Sequence, residues 1–140
     1  MIDNEIRELL VKLSAQSRRN YAGALRQYNI HVGQDHALCQ LWLEEGITQL
    51  ELSERLGCEP PTVTNMIKKL EEYGLVYRKK DAQDGRITRV YLTEEGRSLR
   101  QPIQQMWKKQ QDKLLEGIVL EERMLLRRLL QQMVKNITPE

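Results

Sequence analysis

Between Ile47 and Gly96 the hydrophobic period of this chain changes from helical to alternating, and turn-forming residues mark each boundary. Few folds accept that order. Thr48, Gln49, Leu50 and Glu51 compose a capping box, in which the Thr48 hydroxyl accepts from the backbone N–H three residues on and Glu51 reaches back to the cap. A helix is therefore expected to start at Thr48. Leu52 and Leu56 share its apolar face, and Gly57 stands where a left-handed residue would stop it. Cys58 and Glu59 lead into Pro60-Pro61, and proline is tolerated in a first helical turn because those N–H groups have no intrahelical partner. A second helix is predicted from about Pro60 to Gly74. Val63, Ile67 and Leu70 lie on one of its faces, and Thr62, Thr64, Asn65, Lys68 and Lys69 cover the rest.

Leu75 to Lys80 and Ile87 to Leu92 favour strands, and the polar segment between them contains Asp84-Gly85, a hairpin-turn dipeptide. The hairpin carries Arg78, Lys79, Lys80, Arg86 and Arg89 against only Asp81 and Asp84. Two helices across a tight turn, then a basic hairpin, is the order of a winged helix-turn-helix, a module that holds duplex DNA. The polar face of the second helix supports that reading. Its side chains are short near the start, where a helix approaches base edges, and cationic further along, where lysines suit phosphates. The candidate DNA-binding residues are therefore Pro61, Thr62, Thr64, Asn65, Lys68 and Lys69 on the helix, with Arg78, Lys80 and Arg86 on the hairpin. Arg86 suits a minor groove, whose negative potential favours arginine.

The run LGCEPPTVTNMIKKLEEYGLVYRKKDAQDGRITRVYLTEEG resembles the central signature of the MarR family of bacterial transcriptional regulators. It matches the helix-turn-helix, the Asp84-Gly85-Arg86 element of the wing, and the Leu92 to Gly96 lead into the next helix. The resemblance implies an obligate homodimer on a palindromic operator, with the recognition helix in the major groove and the wing arginine in the minor groove. Those roles fall on Pro61 to Lys69 and on Arg86. It also implies that Asp84 braces Arg86 or a neighbouring arginine, as support for the wing. One position departs from the pattern. Where relatives usually begin the recognition helix with a serine, this chain has Glu59 and then two prolines, so base contacts cannot be carried over.

Net charge is only +2 over 140 residues, weak evidence for a nucleic-acid partner by itself. Its placement says more. Residues 60–100 hold nine Lys/Arg and six Asp/Glu, so the cationic excess sits on the predicted helix and hairpin. The flanks read differently. Ile6, Leu9, Leu10, Leu13, Tyr21 and Tyr28 recur at helical spacing over residues 3–29, and a further helix is expected over about Asp35 to Glu44 with Leu38, Leu41 and Trp42 inward. Thr93 should cap a helix running to about Gly117, in which Pro102 removes a hydrogen bond and bends the axis near Ser98, a hinge in one reading and simple curvature in the other. A last helix is expected from about Glu121 to Asn136, with Leu126, Leu129, Leu130, Met133, Val134 and Ile137 at helical spacing through and just past it. Such stripes need a partner, and a second copy is the economical one. The expected fold is mainly α with a small β-wing: one domain over 1–140, a winged lobe over about 30–100, and dimerisation helices over about 1–29 and 101–140. Ile6, Leu9, Leu10, Leu13, Leu126, Leu130, Met133, Val134 and Ile137 are the candidate dimer contacts.

Other chemistry is sparse. Cys39 reads as a small buried hydrophobe, whereas Cys58, in the turn before the second helix, is the candidate for redox sensing. His31, His36 and Cys39 match no familiar zinc spacing, so no metal or other cofactor is expected. Many relatives bind small aromatic acids, and Tyr21, Tyr28, His31 and Trp42 are the candidate effector pocket, though such residues are more often core. Only two histidines occur and no nucleophile or phosphate-loop motif is present, so an enzyme is not expected. A winged helix used for protein contact is the main rival, and thiol-based regulation through Cys58 the second. The absence of a long apolar run, the start MIDNEIRELL and two unpatterned cysteines point to a soluble, cytoplasmic protein.

Overall fold

A computed structural model describes residues 1–140, which divide into two compact units, Met1–Met106 and Trp107–Glu140. In the first, α1 (Ile2–Leu25) runs into a short 3-10 turn at Arg26–Tyr28, and Asn29 takes a left-handed φ of 57°. The predicted helix over 3–29 therefore ends earlier than its apolar spacing suggested. Leu25 is its one buried residue. α2 (Gln34–Leu43) buries Leu38, Leu41 and Trp42, as its pattern predicts, and Ala37 with them.

β1 (Ile47–Thr48) precedes α3 (Gln49–Leu56), whose first turn is capped by the Thr48 hydroxyl accepting from Glu51 N–H at 3.0 Å. Gly57 ends that helix at φ 65°. α4 (Pro60–Glu72) follows, with both prolines in its first turn and Val63, Ile67 and Leu70 buried. β2 (Val76–Lys80) and β3 (Thr88–Leu92) form the hairpin in the register Val76↔Leu92 to Lys80↔Thr88. β1 pairs with β3 through Ile47↔Val90 and Thr48↔Arg89, giving a three-stranded antiparallel sheet in the order β1-β3-β2. A two-residue strand is too short to leave an alternating pattern, which is why the sequence did not reveal it.

The core of this unit joins Leu38 and Leu41 of α2, Leu52 of α3, Ile67 and Leu70 of α4, and Val90 and Leu92 of β3, all buried. Thr93 closes the hairpin onto the next helix: its hydroxyl accepts from Gly96 N–H at 3.1 Å and donates to the Gly74 carbonyl at 2.6 Å. The helix it caps is not continuous. α5 (Glu94–Ser98) stops at Leu99, and α6 (Arg100–Leu114) begins beyond it. Pro102 has no N–H for the Ser98 carbonyl, so the backbone breaks where the sequence placed a bend.

In the second unit, the end of α6 leads through a turn at Gly117, φ 82°, into α7 (Leu120–Ile137). Ile118 N–H donates to the Leu115 carbonyl at 3.1 Å across the turn, Glu122 accepts from Val119 N–H at 3.1 Å, and Arg123 donates to the Ile118 and Leu115 carbonyls at 2.8 and 2.9 Å. No residue of α7 is buried. Leu126, Leu130 and Val134 line an open trough of about 940 Å³, edged by Arg127 and Lys135. No helix of the chain is long and apolar enough to cross a membrane.

Candidate nucleic-acid interface

The outer face of α4 is polar and open. Pro61, Thr62, Asn65, Lys68 and Lys69 are exposed, and Lys69 forms only a loose 3.6 Å ion pair with Glu72. Thr64 differs. Half-buried, its hydroxyl donates to the Pro60 carbonyl at 3.0 Å and accepts from Gln49 Nε2 at 3.2 Å, which ties α4 to the start of α3. A group so engaged spaces the two helices and has little left for a base.

The hairpin tip is the polar loop between Lys80 and Thr88, with Asp84-Gly85 within it. Gly85 avoids the left-handed region, and Asp84 to Ile87 form an ordinary turn closed by Ile87 N–H donating to the Asp84 carbonyl at 3.0 Å. Carboxylates organise that loop. Asp81 Oδ2 accepts from the N–H groups of Gln83 and Asp84, both at 3.0 Å, and its Oδ1 accepts from Arg89 Nε at 2.7 Å. Asp84 then grips Arg86: Oδ1 accepts from the backbone N–H at 3.0 Å and from Nε at 3.1 Å, while Oδ2 accepts from Nη2 at 3.2 Å. The Arg86 side chain is nonetheless 91% exposed. Asp84 thus orients the guanidinium without covering it. The partner arginines and backbone N–H groups hold both carboxyls below the usual range, Arg89 first for Asp81 and Arg86 first for Asp84.

Arg78 is placed otherwise. It is half-buried and ion-paired with Glu71 at 2.9 Å, whereas Lys80 on the same strand is exposed. Tyr77 and Tyr91, partners across the two strands, stack with their ring centroids 5.4 Å apart. Periodicity could not identify Glu71, Asp81 or Arg89 as organisers of the surface, since each reads from sequence as one more exposed charge.

The remaining candidates scatter. Trp42 is core, its indole N–H donating to the Gly96 carbonyl at 2.9 Å. Tyr21 and Tyr28 are half-buried and His31 is exposed, and none of the four lines the trough on α7 or either of two smaller clefts in the first unit. Cys39 is half-buried, and desolvation, followed by the nearby Asp35 charge, pushes its thiol up. Cys58 Sγ contacts the Leu56 carbonyl at 3.6 Å beside His36 and Met66.

A MarR family profile matches residues 30–88, from just before α2 to the first residue of β3. The chain is similar to the organic hydroperoxide resistance transcriptional regulator of Bacillus subtilis strain 168, with 33% identity over 100 residues, 71% of this chain and 68% of that one. Among solved structures it is similar to S. aureus MepR in its DNA complex: TM-score 0.87 and 27% identity, covering 94% of this chain and 97% of that one. It also resembles a MarR transcriptional regulator from Methanosarcina mazei Go1, with TM-score 0.81 and 28% identity over 95% and 96% of the two chains.

Proposed function

The chain belongs to the MarR family of transcriptional regulators, and from that premise we propose that it acts as a homodimeric repressor on a palindromic operator in cytoplasmic DNA. The observation that carries this reading is Arg86, exposed at the tip yet held by three bonds from Asp84. An arginine fixed in direction before contact loses little conformational freedom on entering a narrow groove. The open face of α4, with Asn65 near its start and Lys68 and Lys69 further along, supplies the complementary major-groove element.

Homodimerisation is supported by α1 and α7, each taken by itself. Ile6, Leu9, Leu10 and Leu13 are exposed on α1; Leu130, Val134 and Ile137 are exposed on α7, with Leu126 and Met133 half-buried. Apolar stripes of that length are not left in water by a stable protein. Two copies joined through them would fix the distance between two recognition helices, as a palindrome requires. We assign the release signal to a small aromatic acid; Tyr21 and Tyr28 are half-buried and His31 is exposed, so each keeps surface a ligand could reach.

The test is direct. Duplexes selected by the protein from a random-sequence pool should contain an inverted repeat, and affinity should fall steeply with salt, because each phosphate contact releases a counterion. Salt-independent binding, or no selected repeat, would reject the reading. A panel of phenolic carboxylates added to the same titration tests the effector.

A further inference from the structure

Arg89 lies on β3 opposite Thr48 of β1 and Lys79 of β2, between the body of the lobe and the hairpin tip. Its guanidinium makes two short bonds. Nη1 donates to the Gly46 carbonyl at 2.7 Å and Nε to Asp81 Oδ1 at 2.7 Å.

Both ends of this bridge are anchored. Gly46, in the loop between α2 and β1, donates its own N–H to the Val90 carbonyl at 2.8 Å. Its neighbour Glu45 accepts from Leu92 N–H at 2.9 Å and from Arg97 at 3.1 Å. Gly46 has φ 79°, and a Cβ there would come within 3.1 Å of the Tyr91 ring, so this anchor is specific to glycine. At the far end, Asp81 fixes the N–H groups of Gln83 and Asp84, and Asp84 grips Arg86. One continuous series of bonds thus runs from the body to the exposed guanidinium.

Burial separates the roles of the two arginines. The Arg86 side chain is 91% exposed, whereas Arg89 is 35% exposed and bonded to an Asp81 that is only 19% exposed. A lysine could not replace Arg89, because one ammonium cannot reproduce two donors spread across a planar fork.

We propose that Arg89 is a positioning residue for DNA binding: it is the strut between Gly46 and Asp81 that sets the direction in which Arg86 leaves the wing. It acts on DNA through Arg86 and makes no phosphate contact of its own. This inference rests on the reading of Arg86 as a DNA contact.

A double-mutant cycle on the duplex that the wild-type protein selects from a random pool tests it. Arg89→Gln should weaken binding about tenfold, and in an Arg86→Ala background it should cost nothing further. Asp81→Asn keeps the Arg89 charge and breaks the strut, so it should reproduce the Arg89→Gln loss. Arg89→Lys should fail to restore affinity. In the free protein, exchange of the Gln83 and Asp84 amides should accelerate in Arg89→Gln and Asp81→Asn while the thermal transition persists. If Arg89→Gln does not fold, Arg89→Lys, alone and in the Arg86→Ala background, carries the test: it keeps the charge and loses the fork, so it should lose affinity only when Arg86 is present.

A phosphate contact predicts the reverse. The double variant would then be weaker than Arg86→Ala by about another tenfold, its salt slope would drop by about one more unit, and Asp81→Asn would bind at least as well as wild type. Any of those results overturns the proposal, as does full affinity in Arg86→Ala. If the wild-type protein selects no duplex, the DNA-binding reading fails first and the strut falls with it.

Discussion

Glu71, in the last turn of α4, takes two bonds from Arg78 on β2: Oε2 accepts from the backbone N–H at 3.1 Å and Oε1 from Nη2 at 2.9 Å. α4 and the hairpin are thereby clamped to each other, and Arg78 serves the clamp.

The clamp should show in the pH dependence of stability. Arg78, first through its side-chain hydrogen bond, holds the Glu71 carboxyl below its ordinary range. A carboxyl depressed on folding stabilises the native state above its unfolded pKa, and that contribution is lost as pH falls through the folded value. Glu71→Gln should therefore be less stable than wild type by about 0.5–1 kcal/mol at pH 7, a modest figure because the pair is partly solvated. Urea unfolding at pH 7 and at pH 3 checks this, since the gap must narrow in acid. A constant gap would mean that packing, not charge, accounts for it.

Arg86→Ala should weaken binding to the selected duplex by roughly 1–3 kcal/mol and leave the sedimentation coefficient unchanged. The side chain stands at the wing tip, outside both candidate dimer helices. Unaltered affinity would remove the wing from the interface.

On α4, Asn65 and Lys69 should differ in kind. Asn65→Ala is expected to relax preference at one base-pair position, and Lys69→Ala to weaken all sequences alike while lowering the salt slope by about one unit. Lys69 is available because its 3.6 Å pair with Glu72 is exposed at both ends. Selection repeated with each variant distinguishes them. Equal effects on every sequence would cancel the base-reading role.

Local signals carried most of the fold. The Thr48 cap, the Gly57 stop and the two prolines each act within a few residues, and the helices begin and end where they direct. Bonds between distant segments were hidden. That Arg89 reaches Gly46, 43 residues away, and Trp42 reaches Gly96, 54 away, depends on tertiary packing that periodicity does not encode. The hairpin around Asp84-Gly85 was legible for its strands, whereas the part Asp81 plays in the loop, capturing the N–H groups of Gln83 and Asp84, was not.

Gly96 is a packing glycine. A Cβ there would lie 2.1 Å from the Leu75 carbonyl oxygen, a backbone atom that cannot step aside. Gly96→Ala should cost about 1–3 kcal/mol or more, because it forces apart the start of α5 and the backbone of Leu75, just before β2. Thermal unfolding measures this. A neutral substitution would show that the Leu92–Gly96 segment has slack the close approach does not suggest.

The last prediction concerns α7. None of its residues is buried, and Leu130, Val134 and Ile137 are exposed along the helix, so removing residues 121–140 deletes no buried side chain. The truncated chain should keep a cooperative thermal transition. It should also be monomeric, because each large apolar side chain on α7 is worth about 1.5–3 kcal/mol if a second copy covers it fully. Affinity for the full inverted repeat should then drop to that for a single half-site, although every candidate DNA contact remains, since the second set of contacts and the spacing between them are gone. Sedimentation of both proteins, with titration of one and two half-sites, separates the possibilities. A truncated monomer that binds the complete repeat as tightly as the intact chain would place the dimer contact elsewhere.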